Sequence, residues 1–179
     1  MTQGSALLQG EDRLHWLLGR LVHSYARLDL NIGLQLRSLS HYRAVDVDEL
    51  LKPETSTFKP RLRRLRTLSL EVYGQRNRAA REAFERWFRR AEAARALRNN
   101  YAHGRWGLVS VQQPDLFIFV ALSWVFDPEK MDPPVQLSLA ELEEQVLEVE
   151  SLGRDFLALQ RTFESIAGLP VNGALREGS

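Results

Sequence analysis

The chain of 179 residues contains no cysteine. This absence excludes a disulfide scaffold, a thiolate zinc site, an iron–sulfur cluster and a cysteine nucleophile. Long hydrophobic runs are also missing, since the longest strongly apolar stretch, Leu116 to Phe126, is too short for a transmembrane helix. Met1 to Arg13 lacks the basic patch and apolar run of a secretory signal. These absences predict a soluble, cytoplasmic protein without membrane contact.

The charge is distributed unevenly along the chain, although the net charge is only +1. Between Lys59 and Arg105 there are 14 Lys and Arg against 4 acids, a balance of +10. Between Asp127 and Glu164 there are 10 acids against 3 bases, a balance of −7. Two interpretations stay open: the two segments pair as salt bridges in the fold, or the basic segment binds a polyanion.

Apolar residues recur at helical spacing in four long stretches. The spacing predicts helices over Arg13 to Leu39, Phe58 to Tyr73, Arg78 to His103, and from Ser138 to Gly168. Residues 1–12 are expected to be a polar lead-in. The last helix opens with a capping box, in which Ser138 and Glu141 each bond the other's backbone N–H. Gly104 stands where the residue after a helix end belongs.

After the third predicted helix, the helical spacing of apolar residues gives way to a pattern typical of β-strands. Trp106 to Val111 and Leu116 to Trp124 are rich in β-branched and aromatic residues, and Gln112 to Asp115 separates them as a turn. The sequence therefore predicts an all-α fold, an up-down bundle of four long helices with a small β-hairpin at about 106–124 between helices 3 and 4. We expect one domain over residues 1–168 and a flexible tail over 169–179.

One local group of residues could take part in a chemical reaction. It is the run Arg98-Asn99-Asn100-Tyr101-Ala102-His103-Gly104. An arginine can bind a phosphate through two hydrogen bonds, and a histidine can exchange protons near neutral pH. Asn99 and His103 share a helix face, so that Asn99 could orient the imidazole. Arg98 and His103 lie about 140° apart on an ideal helix. Arg98 would need its long side chain or an unwound helix end to reach the same cleft as His103, and a groove between two molecules would also accommodate both.

A structural interpretation competes with this chemistry. A histidine in the last helical turn, followed by glycine, is a common helix end, and its protonated form is favoured there by the helix dipole. No metal is expected, because His15 and His23 lack the spacing of a metal site. No glycine-rich phosphate loop is present either, and no cofactor is expected.

The run from Arg98 to Gly104, at the end of an Ala-rich helix, resembles the motif of the HEPN superfamily. Its members are small α bundles, and many are metal-independent RNA endonucleases of toxin–antitoxin, CRISPR and antiviral systems. The resemblance implies that Arg98, Asn99 and His103 are catalytic, that Asp29 is an acidic helper, and that the active form is a homodimer. It also implies an antitoxin or defence partner. The chain departs from those HEPN toxins that continue His-x-Tyr, because Gly104 and Arg105 follow His103.

The first functional hypothesis is a HEPN-type RNA endonuclease, with RNA lying along the basic helices. Its RNA contacts are predicted at five arginines: Arg61, Arg63, Arg64, Arg95 and Arg105. The second hypothesis is a non-catalytic HEPN-like module that binds RNA or protein. The third is a helical interaction domain whose basic half binds an acidic protein. The hairpin aromatics Trp106, Phe117, Phe119 and Trp124 could stack on bases or form the sheet core.

Overall fold

The computed structural model describes residues 3–43, 46–52, 57–75, 77–110, 113–120 and 135–167. This part of the chain is mostly helical and carries one antiparallel sheet. Its elements are α1 (Gln3–Arg43), α2 (Asp48–Leu51), α3 (Phe58–Ser69) with a π-helical turn (Leu70–Gly74), α4 (Arg78–His103), β1 (Arg105–Ser110), β2 (Gln113–Val120), β3 (Val135–Ser138) and α5 (Leu139–Ala167). None of these helices is both long and apolar enough to cross a lipid bilayer. The broad prediction of a mainly α-helical protein is confirmed.

The first helix is longer than its apolar pattern. It begins at Gln3 and ends at Arg43, so the expected polar lead-in over residues 1–12 is wrong from Gln3 onwards. The segment before Arg13 contains no proline, and its glycines lower helix stability without ending the helix. Apolar periodicity therefore identified only part of the length of α1.

The described residues fall into two compact units, which we treat separately. Unit 1 contains those within Met1–Ala26 and Ala93–Ser151, and unit 2 contains those within Arg27–Glu92 and Leu152–Ser179. The prediction of one domain over 1–168 stays a prediction. The expected tail over 169–179, the helix end at Gly168 and the strand end at Trp124 lie outside the described residues.

Unit 2 is built around an aromatic core. Phe84 stacks on Tyr73 at a centroid distance of 4.9 Å and meets Phe156 edge-on at 5.6 Å. Trp87 packs against Phe156 at 4.6 Å, and its indole Nε1 donates to the carbonyl of Leu152 at 2.9 Å. The apolar residues that recur at helical spacing along α4 are buried, as this periodicity predicts: Phe84, Trp87, Phe88, Ala91 and Ala94.

Two ion pairs show the relative direction of α1 and α5 in unit 1. Arg13 Nη2 lies 2.6 Å from Glu143 Oε2, and Arg20 Nη2 lies 2.7 Å from Glu150 Oε2. Both partners advance by seven residues, about 10 Å of helix, so the two helices run parallel here. A strictly alternating up-down bundle would make its first and fourth long helices antiparallel, so this pair departs from the predicted order.

The connection between α1 and α3 belongs to unit 2. Leu51 in α2 approaches Gly33, and Arg61 in α3 meets Asp29, four residues earlier on α1. The start of α3 thus lies beside the middle of α1 rather than beyond its end at Arg43.

The β structure is a sheet of three strands in the order β1-β2-β3. Trp106 pairs with Phe119 across β1 and β2, and Phe119 pairs with Val135 across β2 and β3. The hairpin pairing is confirmed, but the sequence prediction missed β3. This strand is only four residues long, and it leads directly into α5 at the capping box. That box is confirmed, because Ser138 N donates to Glu141 Oε2 at 2.8 Å and Glu141 N donates to Ser138 Oγ at 3.2 Å.

Candidate active site

The end of α4 is fixed by a close contact with the sheet in unit 1. The helix ends at His103, and Gly104 leads into β1. A Cβ at Gly104 would lie 1.9 Å from Phe119 Cε2, so only glycine allows this approach. The predicted helix end is therefore confirmed. Glycine is required at position 104 because the Phe119 ring lies against it, and the geometry of a helix end also favours glycine there.

Arg98 is half-buried on α4 and is held by two groups. Its Nη1 donates to Asn99 Oδ1 at 3.2 Å, and its guanidinium carbon lies 5.6 Å from the centre of the Tyr25 ring. Its Nε is buried and has no hydrogen-bond partner among the described residues. Among the residues that the structure describes, no carboxylate forms an ion pair with Arg98. The charge is therefore partly desolvated and balanced only by an amide dipole and the face of a ring.

His103 has a different environment from Arg98. It is the last residue of α4 and its side chain is exposed. The hydrogen bond that the structure gives the Asn99 side chain joins it to Arg98, so the predicted orientation of His103 by Asn99 is not present in the described part of the chain. α4 is helical as far as His103, so an unwound helix end does not bring Arg98 and His103 together.

An aromatic cluster packs beneath this helix end. Tyr101 meets Trp106 at a centroid distance of 4.8 Å and Phe119 at 5.0 Å. The Tyr101 hydroxyl donates to Gln145 Oε1 at 2.7 Å, and burial raises the pKa of this phenol above its usual value. Phe117 and Phe119 are buried and Trp106 is half-buried, so these residues form the sheet core rather than an open stacking surface.

Asp29, the predicted acidic helper, lies in unit 2 and forms an ion pair there. Its Oδ2 accepts from Arg61 Nη2 at 2.8 Å, while its Oδ1 is buried and no group in the described part of the chain bonds it. Burial raises the pKa of Asp29 above the usual value, although the charge of Arg61 and its hydrogen bond both lower it. The pair gives Asp29 and Arg61 a structural role. Their roles in catalysis and RNA binding stay predictions.

The other predicted RNA contacts are spread over both units. Arg63 is exposed and Arg64 half-buried on α3 in unit 2. Arg105 is exposed at the start of β1, and Arg95 is half-buried on α4, both in unit 1. Arg63 and Arg105 thus offer open positive charge in their own units, whereas Arg61 is committed to Asp29.

Three positioning residues were not recognised from the sequence as parts of the candidate site. Tyr25 supplies the ring beneath Arg98, Gln145 holds Tyr101, and Phe119 limits the residue at position 104. Tyr25 and Gln145 are far from Arg98 and Tyr101 in the sequence, and local patterns carry no signal for such contacts. Phe119 follows α4 on the predicted hairpin, and its pairing with Trp106 is the signal that could have placed it beside Gly104. Within the described residues, no three His, Asp or Glu side chains are grouped so that they could hold a metal ion.

Comparison of the chain with family models, curated proteins and solved structures found no match.

Proposed function

We propose that this protein is a metal-independent RNA endonuclease of the HEPN type. The observation that carries the proposal is Arg98, a half-buried guanidinium that has an amide and an aromatic ring beside it but no carboxylate within the described residues. A partly desolvated cation is costly unless an anion neutralises it. A phosphate of RNA is an anion that the planar guanidinium can bind through two parallel hydrogen bonds.

The chemistry follows from the residue types at the end of α4. The 2′-hydroxyl of the ribose attacks the adjacent phosphorus, and the bond from phosphorus to the 5′-oxygen of the next nucleotide breaks. One imidazole accepts the proton of the 2′-hydroxyl, and one protonates the leaving 5′-oxygen. Arg98 stabilises the charge on the phosphoryl oxygens in the transition state. The products are a 2′,3′-cyclic phosphate and a 5′-hydroxyl.

Two copies of the chain provide this arrangement without requiring both groups of one helix end to reach the same phosphate. On a regular helix, Arg98 and His103 point in directions about 140° apart around the helix axis and are separated by an axial rise of about 7.5 Å. α4 is helical as far as His103. A two-fold axis beside the helix end brings a second arginine and a second histidine to the same cleft. We therefore propose a homodimer, which is also the form that the resemblance to HEPN nucleases implies. A cytoplasmic role as a toxin or defence effector, with a partner protein, belongs to the same proposal.

A cleavage assay on a short end-labelled RNA tests the proposal. We expect cleavage to persist in a chelator, to leave 2′,3′-cyclic phosphate ends, and to stop when the ribose at the cut carries 2′-deoxy. At low protein concentration the rate should rise more steeply than linearly, because the dimer is the active form. Dependence on Mg²⁺ or cleavage of DNA would contradict the mechanism. Salt-dependent RNA binding without cleavage would favour the non-catalytic module instead.

A further inference from the structure

A groove between α1 and α5 in unit 2 has a partly polar floor. The Nδ2 atom of Asn31 lies only 2.9 Å from the position of a Cβ at Gly153, so the amide fills the space that a side chain would take. Asn31, Gln35 and Gly153 also line a cavity of about 30 Å³ that reaches the buried side chains of Trp87 and Phe156. The side-chain amides of Asn31 and Gln35 form no hydrogen bond with any described residue. The floor thus combines a small, mainly apolar cavity with two side-chain amides that have no hydrogen-bond partner among the described residues.

Exposed leucines lie on both helices beside this cavity. Leu30 is 63% exposed and Leu34 is 56% exposed, one helical turn apart on α1. Leu157, which also lines the cavity, is 42% exposed on α5. Apolar side chains on two adjacent helices, with a depression between them, fit the apolar face of a third helix.

Among the described side chains of unit 2, the charges beside the leucines that lack an ion-pair partner are positive. Four exposed arginines flank the leucines: Arg27 and Arg37 on α1, and Arg154 and Arg161 on α5. None of them forms an ion pair with a described residue. On the parts of α1 and α5 in unit 2 whose side chains the structure describes, the acids are Asp29 and Asp155, which pair with Arg61 and Arg90. The leucine groove is therefore bordered by uncompensated positive charge.

We propose that this groove binds an acidic amphipathic helix of a partner protein. Such a helix places apolar side chains on the leucines and the cavity, and its Glu or Asp side chains meet the four arginines. A second copy of the chain is disfavoured, because the same four arginines would face one another across a two-fold axis. The proposal does not depend on the ribonuclease activity proposed above.

The test uses the full chain and three fluorescent peptides of about 18 residues, or five helical turns. The first has leucines at every third and fourth position and glutamates on the other faces. The second carries lysine in place of each glutamate, and the third has the composition of the first with its leucine spacing scrambled. Fluorescence anisotropy at moderate salt should show that the first peptide binds at least about tenfold more tightly than the other two, which is about 1.4 kcal/mol.

Variants locate the bound peptide on the surface. Leu34→Glu should weaken binding of the acidic peptide about tenfold, and Arg154→Glu should weaken it severalfold and improve binding of the lysine peptide. Leu147→Glu is the matched control, because Leu147 is 50% exposed on α5 but lies in unit 1. All three side chains are exposed, so circular dichroism should be unchanged.

Four results would overturn the proposal. They are equal binding of the acidic and lysine peptides, equal loss of binding in Leu34→Glu and Leu147→Glu, displacement of the peptide by RNA, and conversion of a dimer into a monomer by Leu34→Glu. The last result, read by light scattering, would make the groove an interface between two copies. None of the three variants is expected to lose RNA cleavage. Failure of the peptide-binding proposal can therefore be distinguished from failure of the ribonuclease proposal.

Discussion

Two half-buried arginines of the basic segment have opposite environments. Arg61, in unit 2, donates to the carboxylate of Asp29 at 2.8 Å. Arg98, in unit 1, donates to the amide of Asn99 at 3.2 Å and lies over the ring of Tyr25. The first guanidinium is neutralised by an anion of its own chain. Among described residues the second is not.

The difference shows how one residue type serves two purposes. An arginine with a carboxylate partner stabilises the fold mainly by preventing an unpaired charge from being buried. An arginine held by neutral groups keeps its charge available for an external anion, while its geometry is already set. We therefore expect substitutions at Arg61 to affect stability and substitutions at Arg98 to affect activity.

The largest effect should come from the end of α4. Arg98→Ala and His103→Ala should each lower RNA cleavage by about 10²–10⁴-fold, because each removes one group that acts on the transition state. Melting temperatures should change little, since neither side chain is in the core. Single-turnover cleavage rates, with Arg27→Ala as an exposed-arginine control, measure this. If both variants cleaved RNA at the wild-type rate, Arg98 would have no role in activity, and the proposed functional difference between Arg61 and Arg98 would be wrong.

A change beside His103 sharpens the comparison without touching either arginine. Gly104→Ala places a methyl group 1.9 Å from Phe119 Cε2, so the ring or the helix end must move. We expect a loss of about 3 kcal/mol in unfolding free energy. Gly107→Ala, on the neighbouring strand, meets no atom within 4 Å and should have almost no effect. Urea unfolding of the two variants checks this, and equal losses would contradict the contact.

A smaller effect is expected at Arg61. Arg61→Leu leaves the carboxylate of Asp29 half-buried without its partner and should cost about 1–2 kcal/mol near neutral pH. Burial already raises the pKa of Asp29, and removing Arg61 raises it further. A carboxyl with a raised folded pKa stabilises the fold at low pH, and this stabilisation is lost as pH rises through that pKa.

The loss in Arg61→Leu should therefore shrink when the pH falls from neutral to about 4, near the usual pKa of aspartate. Urea unfolding at both pH values measures the change. The double variant Asp29→Asn/Arg61→Leu is the control, because it removes the titrating group. A loss that is the same at both pH values, or that persists in the double variant, would show that the unpaired carboxylate of Asp29 is not its cause.

Local features of the fold could be predicted from the sequence. The buried stripe of α4, the helix end at Gly104 and the capping box of Ser138 and Glu141 all depend on residues within a few turns of one another. Each is decided by helical spacing or by backbone groups at a helix end. Local physics therefore sufficed for them.

Features that depend on distant residues could not be predicted. β3 is too short to give a periodic signal, and it becomes a strand because β2 supplies its hydrogen-bond partners. The pair of Asp29 with Arg61 joins residues 32 apart, and nothing in the local sequence distinguishes Arg61 from Arg63 or Arg64. The motif at Arg98 could be found, but the Tyr25 ring that holds it could not.

The hydrogen-exchange rate of the Trp87 indole N–H reports on the local opening of unit 2. Its N–H is donated to the carbonyl of Leu152 on the neighbouring helix, and the side chain is 2% exposed. This proton can exchange with deuterium only when α4 and α5 separate locally, so its lifetime gives the free energy of that opening. The indole of Trp16, 55% exposed, should exchange at once and so calibrates the same spectrum.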